Sequence, residues 1–210
     1  MTSRIKRTEI SSKLQEELGL PQDSNKFMIG IISRLTDQKG LDLVNRVIEQ
    51  ILDENTQLVV IGTGEPRYEN LFKHFQWKYP DRVSANIFFS EQRAHKLYAA
   101  ADAMLVPSRF EPCGLTQLIA LRYGTIPIVR ETGGLKDTVS PYNEYENSGN
   151  GFSFGNYDSY DMLNVINYAK TIYFTQNEKW QEIIIRAMKS DFSWNYSADQ
   201  YAGMYNWLSN

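Results

Sequence analysis

The chain of 210 residues carries its reactive side chains in four short clusters, each directly after an apolar run. Ser33, Arg34, Thr36, Gln38, Lys39 and Gly40 follow the first run, and Gly62-Thr63-Gly64-Glu65 the second. Residues 108–117 follow a later one, and Arg130-Glu131-Thr132-Gly133-Gly134 the last. Arg34 and Lys39 lie five residues apart across a turn that opens a helical pattern. Such a pair can clamp a diphosphate, the guanidinium through forked hydrogen bonds and the ammonium as a point charge, beside a helix N-terminus. A solvated surface pair is the alternative. Glu111 precedes Pro112, Cys113 and Gly114, and Gly114-Leu115-Thr116 then opens a helix whose free N–H groups and positive dipole end can hold a phosphate. Glu111 itself can accept hydrogen bonds from sugar hydroxyls or stabilise positive charge; complementing the helix dipole is its plainer role.

The remaining signals carry less. Gly62-Thr63-Gly64 starts like a dinucleotide fingerprint, but Arg67 stands where the third glycine belongs, which disfavours an NAD enzyme. A tight turn that lets backbone approach a ligand, or an ordinary strand-to-helix turn, accounts for it equally. Gly133-Gly134 reads as an N–H nest or as a simple turn. His95 and Cys113, each alone, read as structural. There is no Ser-His-Asp spacing, no Walker lysine and no metal-ligand cluster, so neither a metal nor a cofactor is expected.

The elements that must position these clusters alternate between strand and helix, the pattern of βαβ units and a parallel sheet. Strands are expected at 27–33, 57–62, 85–89, 103–107, 125–129 and 151–154. Helices are expected after 40 and at 65–78, 91–101, 114–123, 162–173, 178–189 and 197–208. Leu41, Val44, Val47, Ile48, Ile51 and Leu52 mark the first of these, five of the six at helical spacing. Residues 141–150 are polar and turn-rich and read as a surface loop. The fold class is α/β: a doubly wound parallel sheet with a helical C-terminal tail. In such sheets ligands bind at the carboxyl ends of the strands, where strand order reverses. All four polar clusters would meet on that rim.

Composition narrows the partners. The 22 Lys and Arg against 25 Asp and Glu leave a net charge of −3, which argues against a phosphate-driven nucleic-acid binder. No apolar run approaches the ~18 residues of a membrane span, and the basic start lacks the apolar stretch of a secretory signal. The single cysteine cannot form an internal disulfide, and two histidines make a zinc site improbable. A cytoplasmic protein is expected, or a plastid one in a plant.

Residues 30–43, Gly-Ile-Ile-Ser-Arg-Leu-Thr-Asp-Gln-Lys-Gly-Leu-Asp-Leu, resemble the opening of the C-terminal domain of bacterial glycogen synthases and plant starch synthases. Pro107-Ser108-Arg109-Phe110-Glu111-Pro112-Cys113-Gly114-Leu115-Thr116-Gln117 is similar to that family's signature. Residues 130–139 and Asp191-Phe192-Ser193-Trp194 also fit, so the resemblance covers about residues 9 to 208. It implies a GT-B glycosyltransferase: two Rossmann-like domains with the active site between them, moving glucose from ADP-glucose to the non-reducing end of an α-1,4-glucan with retention. This chain would be the C-terminal, donor-binding half. Residues 1–24 would form a linker helix, 25–190 the Rossmann-like nucleotide-sugar domain, and 191–210 a helix that crosses back to the partner domain.

Carried over by motif, Arg34 and Lys39 bind the donor diphosphate and Glu111 lies at the donor glucose. Leu115 and Thr116 contact phosphate and ribose, with Cys113 and Gly114 beside them; Gly133, Gly134, Gly62 and Gly64 line the same site. Phe89, where relatives can present Tyr, lies near the adenine. Related transferases carry a second Glu eight positions after the first; Ile119 stands there, which favours the ADP-glucose type. The family's N-terminal domain, with its Gly-rich loop and catalytic histidine, has no counterpart in this sequence, so glucan elongation by the chain alone is not expected. The other readings are a UDP-sugar transferase domain and a non-catalytic glycan- or nucleotide-binding module. The aromatic tail (Phe192, Trp194, Tyr196, Tyr201, Tyr205, Trp207) either fills the local core or leaves an exposed apolar face.

Overall fold

The computed structural model describes residues 2–209, of which 2–7 are described as helical backbone alone. Met1 and Asn210, the outer ends of the expected linker and C-terminal segments, lie outside the described residues. Six strands form one sheet: β1 (Phe27–Ile32), β2 (Thr56–Ile61), β3 (Val83–Asn86), β4 (Ala103–Val106), β5 (Ile126–Arg130) and β6 (Phe152–Phe154). Every pairing is parallel, and the order is β3-β2-β1-β4-β5-β6. The chain therefore builds outward from β1 to one edge and then returns to build outward from β4 to the other. This is the doubly wound Rossmann-like arrangement, with its reversal between β1 and β4.

The four central strands, β2, β1, β4 and β5, divide their side chains between two cores. Phe27, Ile29 and Ile31 of β1, with Leu58 and Val60 of β2, point to one face. Met28, Val59 and Ile61 point to the other. Both faces are covered there, so β1 and β4 read as continuous apolar runs. The first face is covered by α2 (Leu41–Ile51), α3 (Pro66–Lys78), α7 (Ser159–Thr175) and α8 (Asn177–Lys189). The second is covered by α1 (Thr2–Glu17), α4 (Glu91–Ala100) and α6 (Gly133–Thr138). Between them, α5 (Thr116–Tyr123) gives Leu121 to one core and Ala120 to the other. The spacing read for α2 holds: Leu41, Val44, Val47, Ile48 and Ile51 are all buried in its helix. Among the described residues no helix is long and apolar enough to cross a membrane.

The third strand is displaced from its expected place at 85–89. β3 is Val83–Asn86 and pairs Leu58↔Val83 through Ile61↔Asn86. The apolar run that suggested the later position, Ile87-Phe88-Phe89, lies beyond the ladder, with Phe88 and Phe89 exposed. On an edge strand the ladder is set by backbone pairing to β2, so an apolar stretch nearby is a poor guide. The last helix, α9 (Trp194–Leu208), begins three residues earlier than expected, because the Ser193 hydroxyl caps the N–H of Tyr196. None of its residues is buried, so its rings leave an exposed apolar face rather than filling the local core.

Lys170, buried on α7, forms an ion pair with Asp53 and hydrogen-bonds the Ile51 carbonyl, tying α7 to the end of α2. Burial pushes the Asp53 carboxyl up, but hydrogen bonds from Lys170, Thr56 and Asn55 outweigh it and hold the group below its ordinary value. A carboxyl whose folded pKa is depressed stabilises above its unfolded value of about 3.9 and loses that contribution as pH falls through the folded one. The urea midpoint should therefore drop on acidification below about pH 4. Asp53→Asn should lower the midpoint at pH 7 and flatten that decline; equal acid sensitivity in the variant would count against the assignment.

Candidate functional site

β1 and β4 lie side by side but pair only through Ile29↔Ala103 and Gly30↔Met104. Beyond those pairs β1 stays with β2 as far as Ile32↔Ile61, and β4 stays with β5 as far as Val106↔Val129. The sheet opens into a crevice at its carboxyl end. The loops after β1 and β4 face each other across it and are stitched together. Arg109 donates its backbone N–H to the Gln38 carbonyl at 2.8 Å, and the Gln38 side-chain amide donates to the Phe110 carbonyl at 3.1 Å. Gly40, at φ 70°, sits where a Cβ would stand 1.9 Å from the Pro107 carbonyl oxygen, so only glycine permits this approach.

Two adjoining hollows occupy the crevice. The smaller, about 130 Å³, is lined by Lys39, Ser108 and Glu111 together with Ser33, Arg34 and Thr116. The larger, about 470 Å³, runs toward α4 and is lined by Gly62, Thr63, Phe89, Glu91, His95, Tyr98, Leu115 and Ile119. Ile32, Ser33, Arg34 and Thr116 belong to both. The small hollow sets the charged and hydroxyl groups against aliphatic side chains from the ends of β1 and β4, and the wide one is walled largely by rings and aliphatic side chains.

In the small hollow Lys39 Nζ lies 2.6 Å from Glu111 Oε2, with the two side chains 17% and 12% exposed. Ser108, fully buried, donates its hydroxyl to the same carboxylate oxygen at 3.0 Å. Water is largely excluded, so the charges act at a lower effective dielectric than at the surface. Arg34 differs: it is exposed, and its guanidinium has no hydrogen-bond or ion-pair partner among the described residues. The Ser33 hydroxyl, buried between the two hollows, likewise has no partner. Tyr98, buried in the wall of the larger hollow, has its hydroxyl pushed up by burial despite a hydrogen bond with Thr116, and so presents a neutral O–H. The N-terminal turn of α5 borders this space through Leu115 and Thr116, and the first N–H groups of a helix have no partner within it.

Of the residues singled out in the sequence, Arg34, Lys39, Glu111, Gly62, Phe89, Leu115 and Thr116 line the hollows. Phe89 does so from the loop 87–90 rather than from a strand end, 71% exposed. Gly64, Cys113, Gly114, Gly133 and Gly134 lie outside the linings. For the glycines the structure shows a packing role. Gly64 passes Leu35, whose carbonyl oxygen would be 2.2 Å from a Cβ, and its N–H is taken by Glu69. Gly133 and Gly134 pass the carbonyls of Glu111 and Cys113 at the same 2.2 Å, and the Gly134 N–H bonds the Glu111 and Pro112 carbonyls. That N–H is committed to the protein, which is the turn reading rather than the nest. Gly114, at φ 78°, starts α5 over the buried Gln117 side chain. Cys113 is exposed.

The sequence reading missed the wall supplied by α4. Glu91, Ala94, His95 and Tyr98 fall at i, i+3, i+4 and i+7 and all face the larger hollow. That spacing is visible in the sequence, but a carboxylate, a methyl, an imidazole and a phenol on one stripe make no apolar face. His95, taken alone as structural, is held here by Tyr123, whose hydroxyl lies 2.9 Å from Nδ1.

The family described as "Glycosyl transferases group 1" matches residues 13–188. A glycogen synthase of Lachnospira eligens is 61% identical over 99% of this chain, which spans 44% of that enzyme. A glycogen synthase of Lachnoclostridium phytofermentans is 57% identical over 97% of the chain and 43% of the enzyme. Among solved structures, the catalytic domain of starch synthase IV from Arabidopsis thaliana, bound to ADP and acarbose, superposes with a TM-score of 0.86 at 36% identity. That match covers 95% of this chain and 42% of the plant one. The chain thus spans somewhat under half the length of the curated relatives it matches.

The Lys39–Glu111 pair should be structural as well as functional. Lys39→Met leaves a nearly buried carboxylate with Ser108 alone and should cost about 1–3 kcal/mol in urea unfolding at pH 7. Adding Glu111→Gln should recover most of that loss; a double variant as unstable as the single one would show that the charge is not the cause.

Proposed function

The chain belongs to the group 1 glycosyl transferases, and from that premise we propose that it is the donor-binding half of an ADP-glucose-dependent glycogen or starch synthase. The observation that carries the reading is the placement of Arg34. An unpartnered guanidinium stands between a small hollow with Lys39 and Glu111 and a wide hollow walled by rings. A nucleoside diphosphate sugar has that same sequence of parts: a flat base, a doubly charged linker and a hydroxylated ring. The base and ribose would lie in the wide hollow along Phe89, Tyr98 and Thr116. The diphosphate would lie on Arg34, Lys39 and the N-terminus of α5, and the glucose beside Glu111. The relatives named as glycogen synthases, and the plant starch synthase structure bound to ADP, support this choice of substrate.

Transfer breaks the bond between glucose C1 and the β-phosphate oxygen and forms one from C1 to the acceptor hydroxyl. Negative charge arrives on the departing diphosphate, which can take up the acceptor's proton on the same face. Two fixed cations and a helix N-terminus stabilise that charge where it develops, and losing one such contact typically costs on the order of 10²–10³ in rate. Glu111 offsets positive charge building at C1. The α-1,4-glucan acceptor would be presented by a second domain, supplied in the relatives by the length this chain does not span. Ile119, eight positions after Glu111, stands on the wall of the wide hollow and brings no carboxylate from that position.

Calorimetry on the chain should show ADP binding more tightly than UDP. Arg34→Ala and Lys39→Ala should each weaken ADP at least about tenfold, the worth of one charge-assisted contact. Glucosyl transfer from ADP-glucose to maltohexaose should be absent until the rest of the enzyme is supplied. Transfer by the chain alone, a preference for UDP, or ADP affinity indifferent to both substitutions would each overturn the corresponding part of the assignment.

A further inference from the structure

Tyr157 follows β6 and lines neither hollow, yet it touches groups from three of the segments that frame them. Its hydroxyl donates to Asp42 Oδ1 at 2.5 Å, across 115 positions of the chain. The guanidinium of Arg109 lies over its ring, 4.9 Å from the centroid, and that of Arg130 lies at 5.4 Å. A phenol supplies both kinds of contact, a hydroxyl for a carboxylate and a π face for cations. Burial, and after it the hydrogen bond to Asp42, push the Tyr157 hydroxyl above its ordinary pKa, so it stays an O–H donor.

Each contact leads on to the crevice. Asp42 stands in the first turn of α2, three positions after Lys39. Lys39 ends a single 3₁₀ turn, Asp37–Lys39, that runs through Gly40 directly into α2. A hold on Asp42 is therefore a hold on the backbone that carries the ammonium. On the other side, Arg130 donates to the carbonyls of Arg109 at 2.8 Å and Ser108 at 3.4 Å. The Ser108 hydroxyl donates in turn to Glu111, and the Arg109 N–H to the Gln38 carbonyl. Tyr157 is itself fixed. Its ring packs against the first core, and the next residue, Asp158, caps α7 through the N–H groups of Tyr160 and Asp161.

We propose that Tyr157 is a positioning residue for the transfer reaction, which sets the spacing between the Lys39 and Glu111 loops from outside the crevice. The role in transfer rests on the proposed function; the clamp on the two loops follows from the contacts alone. Spacing matters because a departing diphosphate is stabilised by groups already in place. A misplacement of about 1 Å can cost on the order of 10² in rate.

Amide hydrogen exchange on the ¹⁵N-labelled chain and ADP calorimetry test the assignment, with Tyr157→Leu and Tyr157→Phe. Tyr157→Leu removes both contacts and should speed exchange of the Arg109 N–H at least about tenfold, with the β1 and β2 amides unchanged. A side chain that only adds to overall stability would speed those strand amides as well. Tyr157→Phe keeps the ring and gives up the hold on Asp42, so it should weaken ADP by about threefold or more. In a Lys39→Ala background the same change should cost nothing further, because the group it steadies is gone. The proposal fails if the Arg109 N–H exchanges as in wild type, or if the strand amides accelerate by the same factor. It fails too if Tyr157→Phe weakens ADP equally with and without Lys39. A wild-type chain that binds no ADP would count against the proposed function, and the exchange rates would still decide the clamp.

Discussion

The functional end of this molecule depends on how little β1 and β4 share. Two residue pairs join them, after which each strand follows its other neighbour and the sheet parts. A parallel sheet can do this only where the chain reverses its direction of growth, because elsewhere consecutive strands are zipped by their full ladders. Close contact at that junction is helped by Gly30. A Cβ there would stand 3.0–3.2 Å from Met104 and Leu97, so the residue's lack of a side chain lets Met104 fill the space over β1. The parting strands leave backbone groups and loop ends without sheet partners, and the loops satisfy them with each other. The Arg109 N–H to the Gln38 carbonyl and the Gly40 approach to Pro107 are the result. They fix the loop carrying Arg34 and Lys39 against the loop carrying Ser108 and Glu111.

The two cations of the crevice are held in opposite ways, and their chemistry explains why. A lysine ammonium is a compact charge that tolerates enclosure if a carboxylate neutralises it, and Lys39 has Glu111 at 2.6 Å. The planar, weakly hydrated guanidinium of Arg34 sits at the mouth, exposed, with its hydrogen-bonding fork unspent. A third cation, Arg130, is not available to a ligand in the same way. It donates to the carbonyls of Arg109 and Ser108 and lies over the Tyr157 ring, bracing the β4 loop from the β5 side. These three basic side chains thus divide into one that reaches out, one that is paired and one that supports.

Much of this was legible in the chain. The apolar periodicity of residues 41–52 and the unbroken runs of β1 and β4 specify a two-faced sheet, because burial on both sides leaves no polar alternation to read. The polar clusters after the strands identify the rim for the same reason. Position along an edge strand was not legible, since β3 is set by its ladder to β2 while the nearby Ile87-Phe88-Phe89 imitates a strand. The purpose of the glycines was legible only in part. A glycine announces that backbone passes close to something, but not what. Gly133 and Gly134 turn out to face the carbonyls of Glu111 and Cys113, and Gly62 that of Ser33, whose oxygen would stand 1.9 Å from a Cβ there. Nor could any spacing rule join Lys39 to Glu111 across 72 positions; the βαβ crossover does that, and only the closed sheet shows it.

The pair has a consequence for how a donor would settle. Lys39 cannot turn fully toward a diphosphate without loosening its hold on Glu111, and Ser108 supplies the carboxylate with one further donor. A nucleotide without its sugar would therefore take one partner from an enclosed carboxylate and offer none in return, which costs free energy in a site screened from water. A sugar hydroxyl placed beside Glu111 replaces the lost donor. On the proposed function, the same residue that keeps Lys39 in place would favour the complete nucleotide sugar over its nucleotide fragment. Binding of the two parts would be coupled through a single carboxylate, with no movement of the strands required.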